Sequence, residues 1–166
     1  AAVRRHVLHG PGFFMLREKR DVTARDFLLA GCVLVGELDG DGMDDDEWDA
    51  LVALLLPLSP DPEAEVERLK SREEADALLV SSAEYLRDNA GPERYELLRG
   101  VAHVAAADGV LSPAERSFLH RIAELLNIPQ RAADEIAFET LADHLQLKAM
   151  RAPRRPDGNF PRRVQR

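Results

Sequence analysis

Apolar residues recur along most of the chain with the spacing of an α-helix. Between residues 23 and 147 they return every three or four positions, which places them on one face of a helix. Clusters of Gly, Pro, Asp and Asn, as at residues 39–42 and 127–129, interrupt this pattern and separate the helices. The sequence therefore predicts an all-α fold, a single helical bundle of about six to seven helices.

Capping motifs predict where several of these helices begin. A Ser, Thr or Asp followed three positions later by an acidic residue is typical of a capping box, in which two side chains satisfy the first free N–H groups of a helix. The pattern predicts helix starts at four positions, Thr23, Asp44, Ser71 and Ser112. We expect the helix after Thr23 to end near Leu38.

The two ends of the chain lack this periodicity. Residues 1–22 are predicted to form an N-terminal arm whose apolar segment, residues 13–16, folds against the bundle. The helical domain is predicted at residues 23–147, and its last helix is expected from about Pro129 to Lys148 with Leu145 on the buried face. Residues 148–166 are rich in Arg and Pro and are predicted to form a basic, disordered tail. Because the chain begins with Ala instead of Met, we expect a further segment upstream.

The chain contains an internal repeat. Residues 28–40 align with residues 97–109 at a shift of 69, with six identical positions of thirteen, which include Gly31 with Gly100. Beyond the turn the shift becomes 68, and Glu47 then aligns with Glu115. The first copy therefore has one extra residue in its turn. Two helical hairpins of the same design are expected to pack as a pseudo-symmetric pair around a shared core.

Composition supports helices and excludes several classes of protein. Hydrophobic residues form 45% of the chain and aromatic residues only 5%, whereas strands prefer β-branched and aromatic side chains. No apolar run approaches the roughly 20 residues that a membrane-spanning helix needs. The single Cys32 excludes an internal disulfide and is expected to be a core residue. This usage is typical of a reducing compartment, so we expect a cytoplasmic protein.

The charge of the chain is unevenly distributed. The net charge is −8, but residues 21–147 contain 28 acidic and ten basic residues, a net charge of −18. An acidic body of this kind repels nucleic acid and attracts cations or basic protein surfaces. The basic tail could contact nucleic acid or anionic lipid, although a solvated tail is the simpler interpretation.

The two turns of the repeat carry the residues with the most chemical interest. Asp39 and Asp108 lie where a helix ends, so each charge faces the negative end of the helix dipole. An Asx-type hydrogen bond to the turn would explain them, and so would a bound cation. Asp108 with Glu115, and Asp39 and Asp41 with Glu47, could each supply oxygen ligands to Ca²⁺ or Mg²⁺. The two glutamates also have a purely structural explanation, because an acid at this position completes a capping box.

Other types of site are not indicated. The first turn is not an EF-hand, because a loop starting at Asp39 places Asp44 at the required Gly and Ala50 at the bidentate Glu. The chain has no phosphate-binding glycine loop, GxSxG motif or CxxC pair. His103 is predicted to be a satisfied or rim residue, while His120 and His144 lie on separate helices. We therefore predict that the protein is not an enzyme.

The second turn resembles a known family. Residues 105–115, AAADGVLSPAE, are followed by an apolar helix and by the segment LNIP at 126–129. This pattern is similar to the tellurite-resistance TerB-like family, whose hallmark is an Asp-Gly turn between helices with a Glu at the start of the second helix. The same motif occurs in the N-terminal region of some membrane-linked J-domain co-chaperones. The resemblance covers roughly residues 23–147.

The resemblance implies an all-helical, pseudo-two-fold domain with a clustered acidic surface. It also implies that Asp39, Glu47, Asp108 and Glu115 are ligands of a divalent metal. The implied role is sensing or scaffolding in stress responses. A protein partner is expected, and this partner could link the chain to a membrane. Two hypotheses stay open at this point. The first is a module that binds Ca²⁺ or another divalent cation, and the second is a metal-free acidic scaffold that recruits a basic partner.

Overall fold

The computed structural model describes residues 11–38, 40 and 42–151, and the side chains from residue 16 onward within these ranges. This part of the chain contains seven α-helices and no strand, so the predicted all-α bundle is confirmed. The helices are α1 (Pro11–Gly36), α2 (Asp45–Leu55), α3 (Pro62–Arg68), α4 (Arg72–Asn89), α5 (Glu93–Ala105), α6 (Pro113–Leu125) and α7 (Gln130–Arg151).

The predicted start of the first helix at Thr23 is wrong. Helix α1 begins at Pro11, so the boundary expected between the arm (1–22) and the domain falls inside a continuous helix. The Thr23 hydroxyl donates a hydrogen bond to the Lys19 carbonyl oxygen at 2.7 Å, one turn earlier in the same helix. A threonine hydroxyl can make this bond inside a helix as well as cap one, and the sequence pattern does not distinguish the two. Of the apolar segment 13–16, only the Leu16 side chain is described, and it is 63% exposed.

The other end of the bundle also differs from expectation. Helix α7 continues to Arg151, and Leu145, expected to be buried, is 50% exposed. The buried residues of α7, Ala133, Ile136, Ala137 and Thr140, all lie in its first half, where the helix packs on α5 and α6. In the second half, His144 and Lys148 contact α5 and the turn that follows it, whereas Leu145 lies on a part of the helix surface that is not covered. Residues 152–166 of the predicted tail lie outside the described residues.

The core lies between the two helical hairpins. Helix α1 packs against α4 and α5, while α2 packs on α1 and α5, and α6 on α5 and α7. Phe27, Leu79, Val101 and Ile122, from four different helices, have no exposed surface. Cys32 is fully buried, as predicted, and burial raises the pKa of its thiol. The thiol is therefore a packing group and not a reactive one.

Two glycines at equivalent positions of the repeat allow α1 and α5 to approach closely. A Cβ atom at Gly31 would lie 3.0 Å from Val101 Cγ2, and one at Gly100 would lie 2.9 Å from Leu28 Cδ2. Each glycine therefore receives a side chain from the other helix. This reciprocal contact explains why both copies of the repeat have glycine at this position.

Within the described residues, none of the helices has both the length and the hydrophobicity needed to cross a bilayer.

Candidate cation site at the two acidic turns

Both second helices of the repeat begin with the predicted capping box. At the start of α2, the Glu47 N–H donates to Asp44 Oδ1 at 2.8 Å, and the Asp44 N–H donates to Glu47 Oε2 at 2.9 Å. At the start of α6, the Glu115 N–H donates to Ser112 Oγ at 3.2 Å, and the Ser112 N–H donates to Glu115 Oε2 at 2.6 Å. The structural explanation of both glutamates is confirmed.

The second turn also contains the Asx bond that the sequence offered as one explanation of Asp108. Asp108 Oδ1 accepts a hydrogen bond from the Val110 N–H at 2.8 Å. Gly109 then takes the left-handed conformation with φ +86°, and Gly40 in the first turn has φ +81°. The predicted site residues Asp39 and Asp41 of the first turn lie outside the described residues.

The two turns come together in the folded chain. Glu47 and Glu115 are buried, with 7% and 4% of their surfaces exposed. Burial is the main cause that raises the pKa of Glu47. The hydrogen bond from the Asp44 N–H lowers this pKa, and the charges of Asp44, Glu115 and Asp108 raise it. Glu115 and Asp108 belong to the second repeat, so their influence on the pKa of Glu47 indicates that carboxylates from both repeats share one neighbourhood.

Lys148 is a residue of this neighbourhood that the sequence did not reveal. Its Nζ donates a hydrogen bond to the Asp108 carbonyl oxygen and lies 3.9 Å from Asp46 Oδ2. The side chain also covers Gly109, where a Cβ atom would be 3.2 Å from Nζ. An ammonium at the end of α5 satisfies a free carbonyl group and offsets the negative end of the helix dipole. Lys148 lies at the boundary between the predicted last helix and the predicted tail, and helix α7, which continues to Arg151, carries it to the turn.

The donor chemistry of the site suits a hard cation, but the described residues do not form a coordination shell. Among them, no group of three or more His, Cys, Asp or Glu residues is arranged to hold a metal ion. Glu47 and Glu115 each use Oε2 in a capping box, and Asp108 uses Oδ1 in the Asx turn. The structure therefore brings Glu47, Asp108 and Glu115 into one electrostatic neighbourhood without arranging them as ligands of one ion.

Comparison with known proteins supports a single assignment. A family model described as "Tellurite resistance protein TerB" matches residues 25–137, a range that includes both acidic turns. No curated protein shows a significant match to the chain, and neither does any solved structure.

Proposed function

Since the chain belongs to the TerB family of tellurite resistance proteins, we propose that it is a non-enzymatic helical module that binds a divalent cation where its two acidic turns meet. The observation that carries this proposal is the shared neighbourhood of Glu47, Asp108 and Glu115. Two of these carboxylates are buried, and a bound cation would reduce the repulsion between like charges that lie close together.

Carboxylate oxygens are the preferred ligands of Ca²⁺ and Mg²⁺. Glu47 from the first repeat and Asp108 and Glu115 from the second would hold the cation, and Asp39 and Asp41 of the first turn would complete the ligand set. The bound ion would supply positive charge between the two helix starts. The chain's own residues position the carboxylates: Asp44 and Ser112 fix the two glutamates through the capping boxes.

Such a cation would connect the two halves of the bundle. Helix α2 belongs to the first repeat and α6 to the second, and each begins with one of the buried glutamates. An ion that binds the folded protein but not the unfolded chain increases the free energy of unfolding by about 2.7 kcal/mol at 100 times its Kd. A change in cation concentration would thus change the free energy that stabilises the contact between the two hairpins. Such a response is suited to a sensor or scaffold in a stress response.

Thermal unfolding with and without Ca²⁺ tests this function. After removal of metal with EDTA, millimolar Ca²⁺ should raise the Tm of the parent protein. Glu47→Gln and Glu115→Gln keep the side-chain shape but remove the charge, and each should abolish most of the Ca²⁺-dependent shift. Glu84→Gln, at an exposed position on α4, is the matched control and should behave like the parent. A Tm that does not respond to Ca²⁺ or Mg²⁺, or that responds equally in all four proteins, would refute the proposal.

A second function is favoured by the exposed acids at the start of α2. Asp44, Asp45, Asp46 and Asp49 are all exposed on one helix end, and an acidic surface of this kind attracts a basic protein partner. In this metal-free scaffold, binding of a lysine-rich peptide should weaken strongly between about 0.05 M and 0.5 M salt. The triple variant D44N/D45N/D46N should also bind it less, and Asn at position 44 preserves the helix cap. Binding that neither salt nor these substitutions change would eliminate this alternative.

A further inference from the structure

Helices α5 and α7 bring two histidines into direct contact. His144 Nε2 lies 2.9 Å from His103 Nδ1, and the ring centroids are 4.4 Å apart with an angle of 32° between the ring planes. His103 is half-buried at this contact. The residues are 41 positions apart in sequence, so the packing of the two helices alone creates the pair.

The two nitrogens that face each other, His144 Nε2 and His103 Nδ1, share a hydrogen bond. A metal ion bound by both would take the place of the shared proton, and the donating imidazole would then carry its proton on its other ring nitrogen. A hydrogen bond between two imidazoles needs one ring to donate and the other to accept, so at least one ring is neutral. Burial is the main cause that lowers the pKa of His103, and the charge of His144 lowers it further, whereas Asp143 raises it. A lowered pKa favours the neutral imidazole, which is the form that binds metals.

The distance between the two nitrogens is compatible with two adjacent positions around a metal ion. With metal–nitrogen bonds of about 2.0 Å, two ligands at right angles have nitrogens about 2.8 Å apart, whereas tetrahedral ligands are about 3.3 Å apart. The observed 2.9 Å is close to the first value, and it is also an ordinary hydrogen-bond distance. Right-angled positions occur in the square-planar and tetragonal coordination that Cu²⁺ and Ni²⁺ prefer, and imidazole is a suitable ligand for both ions.

The surroundings of the pair leave room for further ligands. The histidines line a cavity of about 310 Å³ together with Asp46 and Asp49 from α2 and Lys148 and Arg151 from α7. The two carboxylates favour a cation in the cavity, while the two basic residues oppose it. Lys148 already donates to the Asp108 carbonyl oxygen, so part of its charge is directed away from the histidines. Water can occupy the remaining positions around an ion.

We propose that His103 and His144 form a two-histidine site for a divalent transition metal of the Cu²⁺ or Ni²⁺ type, with the imidazoles as adjacent ligands and water in the other positions. This site differs from the proposed Ca²⁺ site in its residues, in its nitrogen ligands and in its metal class. Binding would link α5 to α7 and so hold the second half of α7 against the bundle.

Titration calorimetry with Cu²⁺, combined with electron paramagnetic resonance of the Cu²⁺ complex, tests this site. The parent protein should bind one Cu²⁺ at the pair, with the spectral signature of nitrogen ligands. Loss of a group that only supports a metal ligand already weakens binding by about 10–100-fold, so His103→Gln and His144→Gln should each weaken Cu²⁺ binding at least tenfold. His120→Gln is the matched control, because His120 contacts Asp134 and Gln130 elsewhere on the surface. It should bind Cu²⁺ as the parent does.

Circular dichroism of each variant separates loss of binding from loss of fold. Equal Cu²⁺ affinity in the parent, His103→Gln and His144→Gln would overturn the proposal, because binding would then reside elsewhere, for example at His6 or His9. A spectrum without nitrogen ligands would also overturn it. Glu47→Gln should retain the Cu²⁺ site, so failure of the Ca²⁺ proposal and failure of this one give different results.

Discussion

Asp108 accepts hydrogen bonds through both its side chain and its backbone. Its carboxylate accepts the Val110 N–H, and its carbonyl oxygen accepts the Lys148 ammonium. Both interactions depend on the backbone reversal at Gly109, where φ is +86°. These contacts within the turn stabilise Asp108. Its charge also raises the pKa of Glu47, because the two turns lie close together.

Substitution of Gly109 tests the importance of this reversal. Gly109→Ala should lower the free energy of unfolding by about 1–2 kcal/mol, because left-handed backbone is strained for a residue with a Cβ atom. Gly109→Asn is the control, since Asn tolerates the left-handed conformation but adds the same Cβ atom next to Lys148. Urea denaturation should show a smaller loss for Asn than for Ala. Equal losses would mean that the contact with Lys148, and not the backbone conformation, makes glycine necessary.

At the scale of helices, the contact between α1 and α5 joins the two repeats. The paired glycines Gly31 and Gly100 allow this contact, and each accepts a side chain from the opposite helix. The contact between α5 and α7 is of a different kind, because it includes the polar pair His103 and His144. The first contact is apolar, whereas the second contains side chains that can be protonated.

A bulky residue at the glycine contact should destabilise the bundle. Gly31→Val places two methyl groups where Val101 Cγ2 is only 3.0 Å from the Cβ position, and overpacking of this kind costs about 1–3 kcal/mol. Val101 cannot rotate away easily, because β-branched side chains have one preferred rotamer in a helix. Ala77→Val, at an exposed position of α4, should cost only a few tenths of a kcal/mol from helix propensity. Equal losses in urea denaturation would show that the glycine contact is not tightly packed.

The histidine pair should make stability depend on pH. The pKa of His103 in the folded protein lies below its ordinary value of 6.5, so the unfolded chain binds protons more readily than the folded one. The free energy of unfolding of the metal-free protein should therefore fall as pH decreases below about 6.5 and be retained above it. The charged and titratable groups near His103 are Glu96, Arg99, Asp46, Asp49, Asp143, His144, Lys148 and Arg151.

His103→Gln removes the group responsible and should flatten this pH dependence, while His120→Gln should leave it unchanged. Urea denaturation at several pH values between neutral and mildly acidic measures the effect. A parent and a His103→Gln variant with parallel pH profiles would show that the pair does not contribute.

At the scale of the whole molecule, the sequence predicted what depends on local pattern. The helical period gave the all-α bundle, and the capping boxes at Asp44 and Ser112 were located correctly because they involve residues three positions apart. Thr23 was misassigned because a hydroxyl can bond inside a helix as well as at its start. Leu145 was misassigned because an apolar position is buried only where a neighbour covers it.

The contacts that define the two candidate sites could not be predicted from local pattern. Lys148 meets Asp108 across 40 positions, and His144 meets His103 across 41. Both contacts depend on how α7 packs along α5, which is set by the shape of the whole core. The repeat did indicate that two acidic turns exist, and the proximity of Glu47 to Asp108 and Glu115 follows from how the two hairpins pack.

If the two turns bind one cation together, residues from both turns should be energetically coupled, and a double-mutant cycle on Ca²⁺-dependent stability measures this coupling. The variants are Glu47→Gln from the first repeat, Asp108→Asn from the second, and the double variant. Asn at position 108 can still form the Asx bond. For one shared site, each single substitution should remove most of the Ca²⁺-dependent rise in unfolding free energy, and the double variant should lose little more. A coupling energy of about 0.5–3 kcal/mol would then be expected. Losses that simply add, as for two independent sites, or a parent protein that Ca²⁺ does not stabilise, would show that the two turns do not share a cation.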